Sequence, residues 1–302
     1  MDGGILQEDW RGRVRGLERI SAWLRNGEGG VGVPPRVVPP LLDYLVALVG
    51  EERSPRLVTT GLRTLRCLVK TSPSSLLLPA LTNGLVSSIL RHLGGGSGVS
   101  VRLEAVECSK ALMRATGPAH VVRVLLSDSC LNAKSSKLRE NSLLWLMYAL
   151  MTFPSGEFDV GSICDAILAT GAVEPKRRVR QSVLDTAAVL GQFVSRSRLK
   201  VANPSQFEEP AAALFFNEAL QARLARRQLP TVSPEGLILY ALQVPQASTD
   251  VEWVLAGSGS LSAGSARSRA QLENAQRAFI SPTQSSDNVY RLVSHIPTCI
   301  LP

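Results

Sequence analysis

The residues of this 302-residue chain that could hold a metal, move a proton or attack a substrate are few and scattered. His92, His120 and His295 are isolated from one another, and no H-E-x-x-H pair places two of them on one helix face. Cys67, Cys108, Cys130, Cys164 and Cys299 are odd in number and form no C-x-x-C pair. Four of them sit in apolar stretches, where cysteine behaves as a small hydrophobe rather than a zinc ligand or half of a disulfide. Glu51-Glu52 and Glu208-Glu209 fall at element boundaries and read as solvated or helix-start carboxylates. There is no G-x-S-x-G elbow and no Walker loop. The glycine run Gly94–Gly98 lies between two helical segments with no strand before it, which excludes a phosphate cradle. The chain reads as non-catalytic, with no cofactor and no metal.

Its charge is more telling. Thirty-three Lys and Arg against 25 Asp and Glu give a net +8. Such a field favours an acidic partner: nucleic acid, membrane surface or acidic protein. The densest basic run is Lys176-Arg177-Arg178-x-Arg180. A nucleic-acid surface would want interleaved aromatics or a second basic stripe beside it, and neither is near. No apolar run approaches the roughly 18 residues that span a bilayer, and the first residues show no signal-peptide pattern, so the reading is cytoplasmic. Trp10, Trp23 and Trp145 lie in helical stretches and read as packing residues, whereas Trp253 lies in a polar segment as a possible partner motif. Ser281-Pro282 matches a common phosphosite dipeptide. Cys299-Ile300-Leu301-Pro302 only superficially matches a prenylation box, because proline is not a usual last residue.

What must position any binding residue is a repeat. Arg-x-x-small-apolar occurs as Arg13-x-x-Gly16-Leu17, Arg102-x-x-Ala105-Val106 and Arg139-x-x-Ser142-Leu143. Arg180-x-x-Val183-Leu184 is a looser copy, and Val58 replaces the arginine before Gly61-Leu62. From residue 13 the intervals are 45, 44, 37 and 41. Each copy opens an amphipathic helix; Leu62, Leu65, Leu68 and Val69 show the spacing. A polar or Gly/Pro break follows, then a second apolar segment: Val37–Val49, Leu76–Leu93, Ala119–Leu126 and Val160–Leu168. Helical hairpins at this period define a HEAT or armadillo solenoid, in which each unit buries its apolar face only by stacking. The small residue predicts close helix approach. Residues 195–204 are polar and irregular, and the last clear helix is predicted over Ala211–Gln228, capping the array. Leu237–Val244 is predicted to pack on that helix. Composition then places a domain at residues 8–245 and a low-complexity, disordered tail at 246–302.

The residues also carry a resemblance. Glu8-Asp9-Trp10-x-x-Arg13-Val14-x-Gly16-Leu17 resembles the first helix of a TOG domain, the HEAT-repeat module of tubulin-binding proteins. Lys176–Leu184 resembles its fifth-repeat helix. Gln221–Pro230, continuing to Tyr240-Ala241-Leu242-Gln243-Val244-Pro245, is similar to the end of the first TOG domain of the crescerin family, the TOG array regulators of axonemal microtubules. The resemblance covers about residues 8 to 245. It implies an all-α paddle of five to six helical hairpins, whose intra-repeat turns line one edge and contact αβ-tubulin or microtubules. The implied setting is the cytoskeleton of the cilium or axoneme, and the chain is expected to be a monomer and a fragment or a short form of a longer array. Carried onto this sequence, the turns are Asn26–Pro35, Lys70–Ser75, Thr116–Pro118, Thr152–Asp159 and Ser195–Gln206. The tubulin-contacting candidates are Asn26, Lys70, Thr71, Ser72, Arg114, Arg196, Arg198 and Lys200. Many TOG domains carry a tryptophan in the first turn; Asn26–Pro35 has none, and Glu157 and Asp159 add negative charge to the fourth. A HEAT scaffold for a different protein and a basic nucleic-acid-binding repeat are the competing readings.

Overall fold

In the computed structural model, the described residues are 3–26, 33–94, 97–239 and 249–255, with the side chains of the first helix described from Trp10 onward. Residues 27–32 of the first turn, Gly95-Gly96, residues 240–248 and everything after Leu255 lie outside them. That removes from description the Ser281-Pro282 dipeptide, His295, Cys299 and most of the expected tail.

Five helical hairpins follow one another. The first helices of the units are α1 (Gly3–Asn26), α3 (Pro55–Thr71), α6 (Val99–Thr116), α8 (Ser136–Thr152) and α10 (Arg177–Leu190). The second helices are α2 (Val38–Glu51), the bent pair α4 (Ser74–Ala80) and α5 (Val86–Leu90), α7 (Pro118–Leu125), α9 (Val160–Val173) and α11 (Pro210–Ala225). The bend in the second unit has a local cause. Pro79 lies inside α4, and Asn83 and Gly84 leave helical geometry, Gly84 at φ 100°.

Burial follows the predicted periodicity. In α3, Leu57, Val58, Gly61, Leu62, Leu65, Leu68 and Val69 are all buried, each large aliphatic worth about 1.5–3 kcal/mol of transfer free energy. Gly61 is small for the expected reason: a Cβ there would lie 2.5 Å from Leu48 Cδ2. Ala105 and Ser142 are buried at equivalent positions. Gly16 departs from the rule, since a Cβ there would meet nothing within 4 Å.

Helices α1 and α3 lie parallel: Arg56 stacks on Trp10 near their starts, and Ser21 and Thr64 share a 2.7 Å hydrogen bond further along. α3 packs on α6 and α8 on α10 in the same way. Between α6 and α8 the close backbone packing lapses. Trp145 still bridges it, its Nε1 donating to Met113 Sδ at 3.3 Å.

The C-terminal part corrects three expectations. First, the helix predicted over Ala211–Gln228 does not merely cap the array; it is the second helix of unit five, ending at Ala225. It is held to the irregular 191–209 connection by Asn217, which accepts from Val201 N and donates to Val201 O. Second, Leu237–Leu239, the described part of the Leu237–Val244 stretch, pack elsewhere than on that helix. Strands β1 (Thr231–Val232) and β2 (Ile238–Leu239) form an antiparallel hairpin. Its tip touches α6, where Lys110 Nζ donates to Glu235 O, and β2 packs against α8. Third, the tail expected from residue 246 is helical over Thr249–Leu255 (α12). Trp253 is 3% exposed, 5.0 Å from the Phe216 ring and under the Arg180 guanidinium. One large aromatic and an Asp250–Arg226 ion pair outweigh the polar composition around them.

Candidate functional site: the turn edge

Because α1, α3 and α6 stack in register, their C-terminal ends and the turns that follow share an edge. Lys70 and Arg114 occupy the last turns of α3 and α6, both exposed, and neither forms an ion pair among the described residues. A cation there complements the helix C-terminus and remains available to a partner. Asn26 ends α1 and is exposed. The two hydroxyl candidates differ from expectation. Thr71 Oγ1 donates back to Cys67 O at 3.0 Å, and Ser72 is buried, so of the three candidates in turn two Lys70 alone is exposed. Turn three is a single residue, Gly117, whose φ of 85° lets Pro118 start α7 at once.

Turns four and five adjoin. Asp159 caps α9, accepting from Ser162 N at 3.1 Å and Ser162 Oγ at 2.6 Å. These hydrogen bonds, with Arg198 nearby, hold its carboxyl below the usual range. Arg198 reaches across Gly161, where a Cβ would lie 2.8 Å from its Nη2. One of the two acids of turn four therefore has its charge committed locally. Arg198, Lys200, Asn203 and Gln206 line a shallow groove of about 370 Å³ with Asp165 and Phe207. Arg196 is exposed but donates to Leu224 O at 3.3 Å, capping α11, which gives it a structural duty.

Trp23 differs from the packing role expected for it. It sits in the last turn of α1, at the same edge, and is 47% exposed. The signal was there: helical spacing from Leu17 runs through Ser21 and Leu24, all buried, and leaves Trp23 off the stripe. Trp10 is half-buried between Arg11 and Arg56, and Trp145 is buried as expected. Trp253, the possible partner motif, is core.

Other groups with chemical potential are absorbed by the fold. His92 donates through Nε2 to Val49 O at 2.8 Å, and burial pulls its pKa down. Cys67, Cys108, Cys130 and Cys164 are buried, with burial pushing the Cys108 thiol up to about 12. Within the basic run Lys176–Arg180, the first three cations are exposed, but Arg180 is 1% exposed and donates to Pro175 O and Val254 O. Among the described residues no cluster of His, Cys, Asp or Glu converges as metal ligands, and no helix is long and apolar enough to cross a membrane.

Stacked hairpins with a shared edge of turns define a HEAT-type helical solenoid. Solved structures agree: a TOG domain of crescerin superposes with a TM-score of 0.65 over 81% of this chain and 98% of its own, at 24% identity. The third TOG domain of Drosophila melanogaster Mini spindles gives 0.53 over 74% of this chain and 91% of its own, at 14% identity. The MAST/Orbit N-terminal domain gives 0.53 over 70% and 89%, at 18% identity. In sequence the chain is 30% identical over 177 residues to human TOG array regulator of axonemal microtubules protein 1, covering 54% of this chain. It is 23% identical over 244 residues to the Caenorhabditis elegans Crescerin-like protein che-12, covering 74%. The matches span 10% of the human protein and 18% of the nematode one. No protein-family model matches the chain. The chain thus has the fold of these TOG-domain structures and is similar in sequence to a short part of the crescerin-type proteins.

Proposed function

We propose that this solenoid is a microtubule-regulating module that docks edge-on to αβ-tubulin, with no catalytic step, cofactor, nucleic acid or membrane involved, and acts as a monomer. The observation that carries the reading is the pairing of Trp23, 47% exposed, with exposed cations at the neighbouring turns. A half-exposed tryptophan flanked by unpaired positive charge is the composition of an interface anchor, since aromatics dominate binding energy and rim charges steer an acidic partner. In this reading Trp23 takes the place that first-turn tryptophans hold in other TOG domains, and Lys70, Arg114, Arg198 and Lys200 face the acidic tubulin surface. The solved crescerin structure is described as part of a TOG array that regulates microtubules in the primary cilium. That supports a cytoskeletal, ciliary setting for this chain.

Each rim cation contributes only about 0 to 1 kcal/mol, so single reversals would be nearly silent. Reversing Lys70, Arg198 and Lys200 together to Glu should weaken association with purified tubulin at least tenfold by gel filtration, about 1.4 kcal/mol, with helicity unchanged. Trp23→Ala should weaken it by a similar factor. Wild-type protein that fails to associate even at low salt would overturn the proposal, as would wild-type affinity in both variants.

A further inference from the structure

The lapse between α6 and α8 leaves a cavity of about 300 Å³, roofed by the β1–β2 hairpin. Arg102, Val106 and Ser109 from α6 line one side, and Leu144, Trp145 and Tyr148 from α8 the other. Leu237, Ile238 and Leu239 close it from the hairpin. Its walls are mainly apolar, and its volume is at the lower end for a small-ligand site.

The repeat makes Arg102 anomalous. Its counterparts in units one and four are clasped by carboxylates at the end of their own units: Arg13 by Glu52 at 2.9 Å, and Arg139 by Glu174 through two 2.9 Å bonds. Unit three supplies no such acid. Asp128, in the corresponding connection, is exposed and accepts from Asn132 instead. The Arg102 guanidinium makes no ion pair among the described residues, and its Nε is buried without a hydrogen-bond partner. A buried guanidinium N–H left unpaired is destabilising, so this wall favours an incoming acceptor. Glu140 also lines the cavity but forms no ion pair with Arg102; the cations acting on it are Arg178 and Lys137.

We infer that the cavity between units three and four binds a carboxylate carried on an aliphatic or aromatic group, with Arg102 pairing the carboxylate and Val106, Leu144, Trp145 and Ile238 holding the apolar part. The bearer is either a free small acid or an acidic residue beside an apolar one in a partner peptide. Both satisfy the same guanidinium, which presents a planar fork matched to carboxylate oxygens.

The test uses the full chain and three probes: 3-phenylpropionate, its uncharged amide, and the peptide acetyl-Phe-Glu-Leu-amide. Binding is read by Trp145 fluorescence and by calorimetry. A carboxylate-bearing probe should bind at least tenfold more tightly than the amide. Arg102→Gln should erase that preference, and Leu144→Trp, which fills the cavity, should abolish binding of all probes. Preference for phenylpropionate alone marks a small-acid site, and preference for the peptide marks a docking pocket. Equal binding of acid and amide, no binding of any probe at millimolar concentration, or a preference that survives Arg102→Gln in a protein of unchanged helicity would overturn the inference.

Discussion

Arg13, Arg102, Arg139 and Arg180 occupy equivalent places in their units yet meet different environments, and their energetics follow the partner rather than the pattern. Arg139 pairs with Glu174, whose side chain is 2% exposed. Removing one member of so buried a pair strands the other, so Arg139→Ala should cost about 3 kcal/mol or more in chemical denaturation. Arg13 is 37% exposed in its pair with Glu52, and Arg13→Ala should cost less than about 1 kcal/mol. Equal losses would contradict this assignment. The recurrence of the arginines is legible in the sequence; their partners are not, because Glu52 and Glu174 lie 39 and 35 residues away and nothing local links them. The Asp185–Arg223 pair, 2.7 Å apart and almost fully buried, was likewise invisible. Burial raises the Asp185 carboxyl to about 6 although Arg223 opposes the rise. The folded state then holds this proton where the unfolded chain, near 3.8, has lost it. This group's contribution to stability should therefore fall as pH rises from about 4 to about 6, the reverse of a carboxyl whose pKa is lowered on folding. Subtracting the denaturation profile of Asp185→Asn from that of the wild type across this window reads the effect. A contribution that rises with pH would contradict the sign.

At the scale of elements, the helices of the first four units could be read from apolar spacing because each buries one stripe against its neighbours. The elements that escaped are short and held by a few long-range contacts. α12 is seven residues long in a polar stretch; Trp253 and Asp250 are its buried residues, and Val254 O accepts from Arg180. Trp253→Ala should destabilise the domain by about 3–5 kcal/mol. A chain ending after Leu255 should keep the wild-type melting temperature, whereas one ending at Pro245 should melt lower because Phe216 and Arg180 lose their cover. Identical melting of the two would show that α12 adds nothing to the core. The close approach of α9 and α11 is equally specific. A Cβ at Gly171 would lie 2.2 Å from the Phe216 ring, so Gly171→Ala should cost about 1–3 kcal/mol by overpacking.

For the whole molecule, the period of 37 to 45 residues carried the solenoid, and the resemblance pointed to the turn edge as the proposed docking surface. Side-chain detail at that edge was only partly legible. Lys70 and Arg114 are exposed where expected, but Ser72 is buried, Arg196 caps a helix, and Trp23 is exposed rather than packed. Turn position can be read from breaks in periodicity; which way a residue in a last helical turn points depends on rotation against its neighbours. The central claim, that the turns are the docking edge, is tested most directly by hydrogen exchange on the full chain with and without purified αβ-tubulin at low salt. Protection is predicted in the peptides covering Trp23–Asn26, Lys70–Ser74, Arg114–Pro118 and residues 191–206, weakening as salt is raised because exposed charges are screened over about 8 Å at physiological ionic strength. Protection confined to the α6, α8 and β-hairpin face, or no change at any turn despite saturating tubulin, would contradict it.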